Sequence, residues 1–146
     1  MLKNIKSKKV LFLIFEKLNT RIKLKTIKYN KEILNRLNIN TADFEDFKKL
    51  KEFNQKYNLK IKDIDISILD LSGKRFGNEV IEEIINLRFK ELKELNLRVN
   101  NISDIKALVK VKFKKLEILD LSENEISDIN ILDKVNFKEL KELYLR

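Results

Sequence analysis

Hydrophobic residues recur with a period of 24 in the second half of the chain. Phe89, Phe113 and Phe137 open three copies of one pattern. In each copy two leucines flank one polar residue, which predicts a short strand with its leucines pointing inward. In each of the two complete copies an Ile-x-x-Ile-x-x-Leu stretch follows the strand. Its spacing predicts a helical turn or two on the opposite side. The matching leucines are Leu92, Leu116 and Leu140; Leu95, Leu119 and Leu143; and Leu97, Leu121 and Leu145.

An earlier and degenerate copy precedes these three, with Ile66, Leu69 and Leu71 at the strand positions. One copy cannot bury its own apolar face, so stability in such an array comes from neighbouring copies, and about three or more are needed. The sequence stops at Arg146, directly after a strand and before a helical return. We therefore expect a longer array of repeats, or another element that covers this end.

The pattern L-x-x-L-x-L-x-x-N-x-I in residues 92–102 and 116–126 resembles the leucine-rich repeat. The resemblance covers residues 66–146. It implies an α/β leucine-rich-repeat solenoid, with short parallel strands on the concave face and helical turns on the convex face, and a non-enzymatic role in binding a protein partner. Asn100 and Asn124 hold the asparagine position, where a side-chain amide can satisfy buried backbone groups. We interpret both asparagines as structural.

On such a sheet the residues between the leucines point to the concave face. They form three rows that mix charges of both signs with two isoleucines and one tyrosine. This mixture suits a protein partner better than a phosphate backbone, which favours lysine and arginine; a generic solvated face is an equal alternative. An acid–base pair of Asp70 and Asp120 is disfavoured because two strands, roughly 10 Å, separate them. The predicted partner-binding residues are Ile68, Glu94, Ile118 and Glu142; Asp70, Asn96, Asp120 and Tyr144; and Ser72, Arg98, Ser122 and Arg146.

Residues 41–58 have the pattern of an amphipathic helix with acidic residues in its first turn. Phe44, Phe47, Leu50 and Tyr57 fall on one face. We expect this helix to cover the apolar edge of the first repeat, as a capping element does. The predicted organisation is a basic, all-α region at 1–40, a capping helix with its connection at 41–62, and one degenerate, two full and one partial repeat at 63–146.

Residues 10–37 predict two helices separated by a polar break at 19–20. This stretch is similar to the F-box, and an F-box before leucine-rich repeats is typical of substrate receptors of cullin-type ubiquitin ligases. The alternative is that these helices only cap the repeats. On the F-box resemblance, the candidates for contacting the adaptor subunit are Leu11, Ile14, Phe15, Leu18, Leu24 and Ile27.

The composition excludes several kinds of active site. The chain has no Cys and no His, so it offers no disulfide, no zinc site of the usual type and no His-dependent nucleophilic catalysis. Its two glycines do not match a phosphate-binding loop. We therefore predict no enzymatic activity, no cofactor and no metal. The apolar run at 10–15 is shorter than a signal-peptide core or a membrane span, so we expect a cytoplasmic or nuclear protein without either segment.

Positive charge is concentrated near the N-terminus. Residues 1–62 carry 17 basic and 6 acidic side chains, against 15 and 17 in the rest of the chain. A nucleic-acid-binding protein that uses the lysines of the N-terminal helices is therefore one alternative function, although only Tyr29 among them offers a ring for stacking on a base. A purely structural repeat scaffold is another. We favour a protein partner over nucleic acid, and we expect no membrane partner.

Overall fold

The computed structural model describes residues 7–17, 35 and 41–146. The chain divides into two compact units, Met1–Lys48 and Lys49–Arg146. Of the helices in the described part of the chain, none has the length and apolarity needed to cross a membrane.

In the first unit an aromatic side chain joins two helices. Helix α1 is Lys8–Lys17 and helix α2 is Thr41–Lys56, the first turns of which belong to this unit. The ring of Phe12 lies with its centroid 4.9 Å from Phe44 and 4.8 Å from Phe47. Rings at this separation attract one another beyond the gain from their buried area.

The buried face of α1 includes one residue, Phe12, that the sequence pattern did not predict. Phe12 is 9% exposed and Leu11 only 1%, whereas Leu13 is 47% exposed. Leu11, a candidate adaptor contact, is thus almost fully buried, and its role in binding an adaptor stays a prediction. The prediction counted an i, i+3, i+4 stripe and did not include Phe12, whose partners lie in α2. Ile14 is half-buried. The other candidates lie outside the residues whose side chains are described: Phe15, Leu18, Leu24 and Ile27.

The second unit contains a four-stranded parallel sheet whose strands follow one another in chain order. Strand β1 is Ile68–Asp70, β2 is Glu94–Asn96, β3 is Ile118–Asp120 and β4 is Glu142–Tyr144. The predicted parallel strands of an α/β repeat fold are confirmed. The central residues of the four strands pair in register as Leu69, Leu95, Leu119 and Leu143.

A helical segment lies between each pair of successive strands. Helix α3, Glu79–Asn86, connects β1 to β2, and the 3-10 helices Lys106–Lys110 and Asn130–Lys134 make the next two connections. Paired strands start 26 residues apart in the first connection and 24 residues apart in the others. The longer first connection holds a full α-helix that the 24-residue pattern did not predict.

The last turns of α2 contribute to the core of the second unit. Leu50 and Phe53 are each 3% exposed and belong to the same apolar cluster as Leu69 of β1. Burial of a large apolar side chain stabilises a fold by about 1.5–3 kcal/mol. The ring of Tyr57 lies 4.5 Å from that of Phe76, between centroids, and extends this contact past the end of the helix.

Charged and polar side chains hold α2 to the chain that follows it. The Lys56 ammonium forms ion pairs with Glu79 at 3.0 Å and with Glu83 at 2.5 Å, both in α3. The amide of Asn54 donates to the carbonyl of Ile61 at 2.8 Å, and its oxygen accepts the N–H of the same residue at 3.0 Å. The connection from α2 to the sheet is therefore fixed by side-chain contacts as well as by apolar burial.

Candidate partner-binding surface

Eight side chains lie side by side in two rows on one side of the sheet. The central leucines of β1, β2 and β3 are buried and that of β4 is partly exposed. Their neighbours in each strand point the opposite way because successive side chains alternate between the faces. Ile68 is 57% exposed and Tyr144 is 48% exposed. The register places the residues in the two predicted rows, while binding of a partner there stays a prediction. We call these eight residues the strand face: Ile68, Glu94, Ile118 and Glu142; and Asp70, Asn96, Asp120 and Tyr144.

The second row also shapes the turns that follow the strands. The side-chain Oδ1 of Asp70, Asn96 and Asp120 each accepts the backbone N–H two residues later, at 2.9, 3.0 and 2.8 Å. The Ser122 hydroxyl donates to Asp120 at 2.5 Å. Such side-chain hydrogen bonds stabilise turns. Asp70 and Asp120 are thus engaged with the backbone on strands separated by β2, an arrangement that does not resemble an acid–base pair.

Tyr144 occupies the fourth position of the second row, where the other three strands have Asp or Asn. Its hydroxyl donates to Oε2 of Glu142 at 2.5 Å. This bond to a carboxylate raises the pKa of Tyr144 above its usual value. The aromatic side chain is therefore held against its own strand, with nearly half of its surface exposed.

The third predicted row follows the strands and contains an ion pair. Arg98 donates from Nε to Oε1 of Glu123 at 3.1 Å and also from Nη2 to the same oxygen. The hydrogen bond to this carboxylate raises the pKa of Arg98. Glu123 lies in the next repeat, and its contact was not predicted from the sequence. Arg146 is exposed, and Ser72 and Ser122 are half-buried.

Beneath this surface two asparagines link successive repeats. Asn100 is fully buried, and its amide donates to the carbonyls of Leu71 and Leu97 at 2.8 and 3.0 Å. Oδ1 of Asn124 accepts the N–H groups of Asn100 and Ile102 at 2.9 and 3.0 Å. Each side chain bonds backbone groups of the preceding repeat that would otherwise be buried without a partner. These contacts support the structural interpretation of both residues.

Asn78 makes a similar link that the sequence pattern did not reveal. Its Oδ1 accepts the N–H groups of Ser103 and Asp104 at 2.8 and 3.0 Å. Its amide donates to the Ser103 hydroxyl at 3.2 Å. Asn78 directly precedes α3 but makes no side-chain hydrogen bond to that helix. Asn78 lies outside the 24-residue pattern, so the sequence offered no signal for this contact.

A row of ion pairs lies beside the strand face. Glu117 bonds Lys93 at 2.9 Å and Lys141 at 2.5 Å. The two ammonium groups, Lys141 first, lower the pKa of Glu117 to about 2. Lys115 pairs with Glu91 at 2.5 Å in the same manner. These exposed pairs join neighbouring repeats, each with a small effect on stability.

A family model described as Leucine Rich repeats (2 copies) matches residues 90–134. The match supports the leucine-rich-repeat segment predicted from the sequence, and it includes β2, β3 and both asparagines of the link between repeats. It does not extend to the F-box-like region. No curated protein and no solved structure matches the chain. Within the described residues, no group of three or more acidic side chains is placed to hold a metal ion.

Proposed function

We propose that this protein is a non-enzymatic interaction module that binds a protein partner through the strand face. Leucine-rich repeats generally mediate protein–protein interactions, and residues 90–134 match that family. The observation that carries the proposal is the exposure of Ile68 and Tyr144, two large side chains at opposite edges of the strand face. Apolar and aromatic side chains within a polar surround are typical of protein interfaces.

The backbone beneath the strand face supports binding without rearrangement. Parallel strands, the hydrogen-bonded turns after three of them and the buried asparagine links hold the rows in fixed register. A surface held in its binding conformation loses less entropy on association. The strand face is therefore suited to recognise a partner by shape and by the order of its side chains.

Affinity capture from a lysate of the source cells tests this proposal. The variant Ile68→Asp/Tyr144→Asp is compared with wild type and with Val109→Asp, which changes a 43% exposed valine on the 3-10 helix between β2 and β3. We expect the double variant to lose the wild-type partners by about tenfold or more, because charge at an interface anchor opposes burial, and the Val109 variant to retain them. Circular dichroism verifies that each variant folds. Equal recovery by all three proteins would contradict a role for the strand face.

A finer form of the proposal makes the protein a ubiquitin-ligase substrate receptor, with α1 docking the adaptor. The exposed side chains of Val10 and Leu13 support it, since each has 47% of its surface accessible. A pull-down with purified adaptor compares Leu13→Lys with Lys9→Glu, a charge change on the same helix. Adaptor recovered by wild type and by the Lys9 variant, but not by the Leu13 variant, is the expected result. If wild type recovered no adaptor, this form of the proposal would be rejected, while the proposed binding through the strand face would not be affected.

A further inference from the structure

Alternate strands of the sheet present the same side chains on the strand face, except for Asn96 of β2 and Tyr144 of β4. Strands β1 and β3 each begin with isoleucine and end with aspartate, whereas β2 and β4 each begin with glutamate. A serine or an arginine, respectively, follows each strand end two residues later. The surface therefore repeats every two strands, or about 9.6 Å at the usual spacing of ~4.8 Å. The matched residues are Ile68 with Ile118, Asp70 with Asp120, Ser72 with Ser122, Glu94 with Glu142, and Arg98 with Arg146.

The first row of the strand face alternates between apolar and acidic side chains. Ile68 of β1 is 57% exposed, and Ile118 of β3 is half-buried between two glutamates. A partner that crosses the strands meets an apolar contact, a carboxylate, a second apolar contact and a second carboxylate. Successive contacts are spaced by about 4.8 Å.

The charge of the strand face is opposite to that of the chain. Its two rows contain four carboxylates and no basic residue, in a protein of net charge +9. Asp70 and Asp120 lie diagonally across from Glu94, within reach of one long cationic side chain. Arg98 belongs to the third row, where its guanidinium is bound by Glu123. The complementary partner therefore presents basic side chains between apolar ones.

An α-helix reproduces this spacing. Its residues i+3, i+7 and i+10 lie about 4.5, 10.5 and 15 Å along the axis from residue i, because the rise is ~1.5 Å per residue. The strands lie about 4.8, 9.6 and 14.4 Å from the first. In an extended strand, successive side chains on one face are ~6.8 Å apart, a spacing that does not match that of the row. We propose that the strand face binds a basic amphipathic helix that crosses the four strands, with apolar residues at i and i+7 and basic residues at i+3 and i+10.

This inference rests on the proposed function and is tested with a defined probe. The probe is a fluorescein-labelled helical peptide of about 18 residues, with Leu at i and i+7, Lys at i+3 and i+10, and Ala or Gln elsewhere. Two control peptides have Glu in place of Lys, or the same composition in an order of period two. Binding to the full chain is measured by fluorescence anisotropy.

We expect the probe to bind, and the affinity to fall severalfold as salt rises from about 0.05 M to about 0.3 M. The variant Glu94→Lys/Glu142→Lys should weaken binding by about tenfold or more. The control Glu82→Lys/Glu139→Lys makes the same charge change at exposed glutamates outside the strand face, and should change affinity by less than about twofold. The milder pair Glu94→Gln/Glu142→Gln, with folding verified by circular dichroism, serves if the lysine variant does not fold.

Three outcomes would overturn the inference: equal binding of the period-two peptide, equal loss in the control variant, or no binding of the probe. If the peptide did not bind but wild type captured partners that the Ile68→Asp/Tyr144→Asp variant lost, only the helical form of the partner would be rejected. Failure of that capture experiment would reject the proposed function itself. The two experiments therefore separate the kind of partner from the use of the surface.

Discussion

Val99 has a backbone conformation that its own side chain opposes. Its φ of 57° lies in the left-handed region, where a β-branched residue is crowded. Gly73 and Glu123 hold the same turn position after β1 and β3, with φ of 68° and 51°. The turn is fixed by hydrogen bonds to the next repeat, from Gly73 N to the Arg98 carbonyl at 2.9 Å and from Val99 N to the Ser122 carbonyl at 3.1 Å. The turn therefore imposes this conformation on whichever residue occupies it.

The substitution Val99→Gly should raise the free energy of unfolding. A left-handed conformation costs a side-chain-bearing residue roughly 1–2 kcal/mol, and added glycine entropy in the unfolded chain offsets about 0.4–1 kcal/mol of the relief. We expect a net gain of about 0.5–1 kcal/mol in urea unfolding. The control is Val111→Gly, at a half-buried valine with φ of −62°, which should lose stability. A loss at Val99 as large as that at Val111 would contradict the assigned strain.

The strain at Val99 was not predictable from the repeat alone. The predicted rows place Ser72 opposite Arg98 and so make Val99 equivalent to Gly73, but one glycine at this position does not show that the turn needs a positive φ. The φ values show that Gly73, Val99 and Glu123 share this conformation. The backbone contacts thus fix the geometry that the three turns share, and only one of the three has the glycine that this geometry favours.

At the scale of elements, charged side chains join β2, β3 and β4 just before each strand begins. Glu117 binds the ammonium groups of Lys93 and Lys141, which lower its pKa from 4.5 to about 2. Between these two pH values the unfolded chain binds a proton at Glu117 and the folded chain does not. Stability from this residue is therefore fully present above pH 4.5 and is lost as the pH falls through about 2.

The variant Glu117→Gln should make stability less dependent on pH in this window. We expect wild type to lose more unfolding free energy than the variant when the pH is lowered from 4.5 to about 2. The measurement is urea denaturation across that range. The control Glu82→Gln removes the same charge from an exposed position in α3. If both variants followed the wild-type curve in parallel, the ion pairs with Lys93 and Lys141 would not contribute to it.

Helix α3 is one element that the repeat pattern does not predict. Its buried residues Val80, Ile81 and Ile84 have helical spacing, and each has at most 1% of its surface exposed. The stretch before them follows the degenerate copy of the repeat, for which the sequence pattern predicts a strand and no α-helix. The 26-residue connection allows a full α-helix in place of the 3-10 turn found in the 24-residue connections.

At the scale of the whole molecule, the positions of β2, β3 and β4 in the strand face were predictable because a constant period of 24 residues fixes their register. The backbone register then places Glu94 opposite Ile118, independently of the side-chain conformations. The bonds of Arg98 to Glu123 and of Tyr144 to Glu142 depend on side-chain conformation and length. Those contacts decide the local charge of the surface, and no pattern of apolar positions specifies them.

Burial of equivalent leucines changes along the array. Leu95 is 2% exposed and Leu119 0%, whereas Leu143 in β4 is 36% exposed. In a repeat array each unit is stabilised mainly by its direct neighbours. In the part of the chain that the structure describes, β4 pairs with β3 and no further strand lies beside it. A central leucine therefore contributes more to the stability of the fold in an inner strand than in β4.

Three matched substitutions measure this gradient. Leu95→Ala and Leu119→Ala should each lower the unfolding free energy by about 2–5 kcal/mol, because they remove buried methyl groups and leave a cavity. Leu143→Ala removes side-chain atoms that already contact water, so its loss should be about 1 kcal/mol or less. Urea denaturation gives the three values, and amide hydrogen exchange should show protection falling from β3 to β4. Equal losses at all three positions would mean that β4 is covered in solution as fully as the inner strands, which would place a further contact on that edge of the sheet.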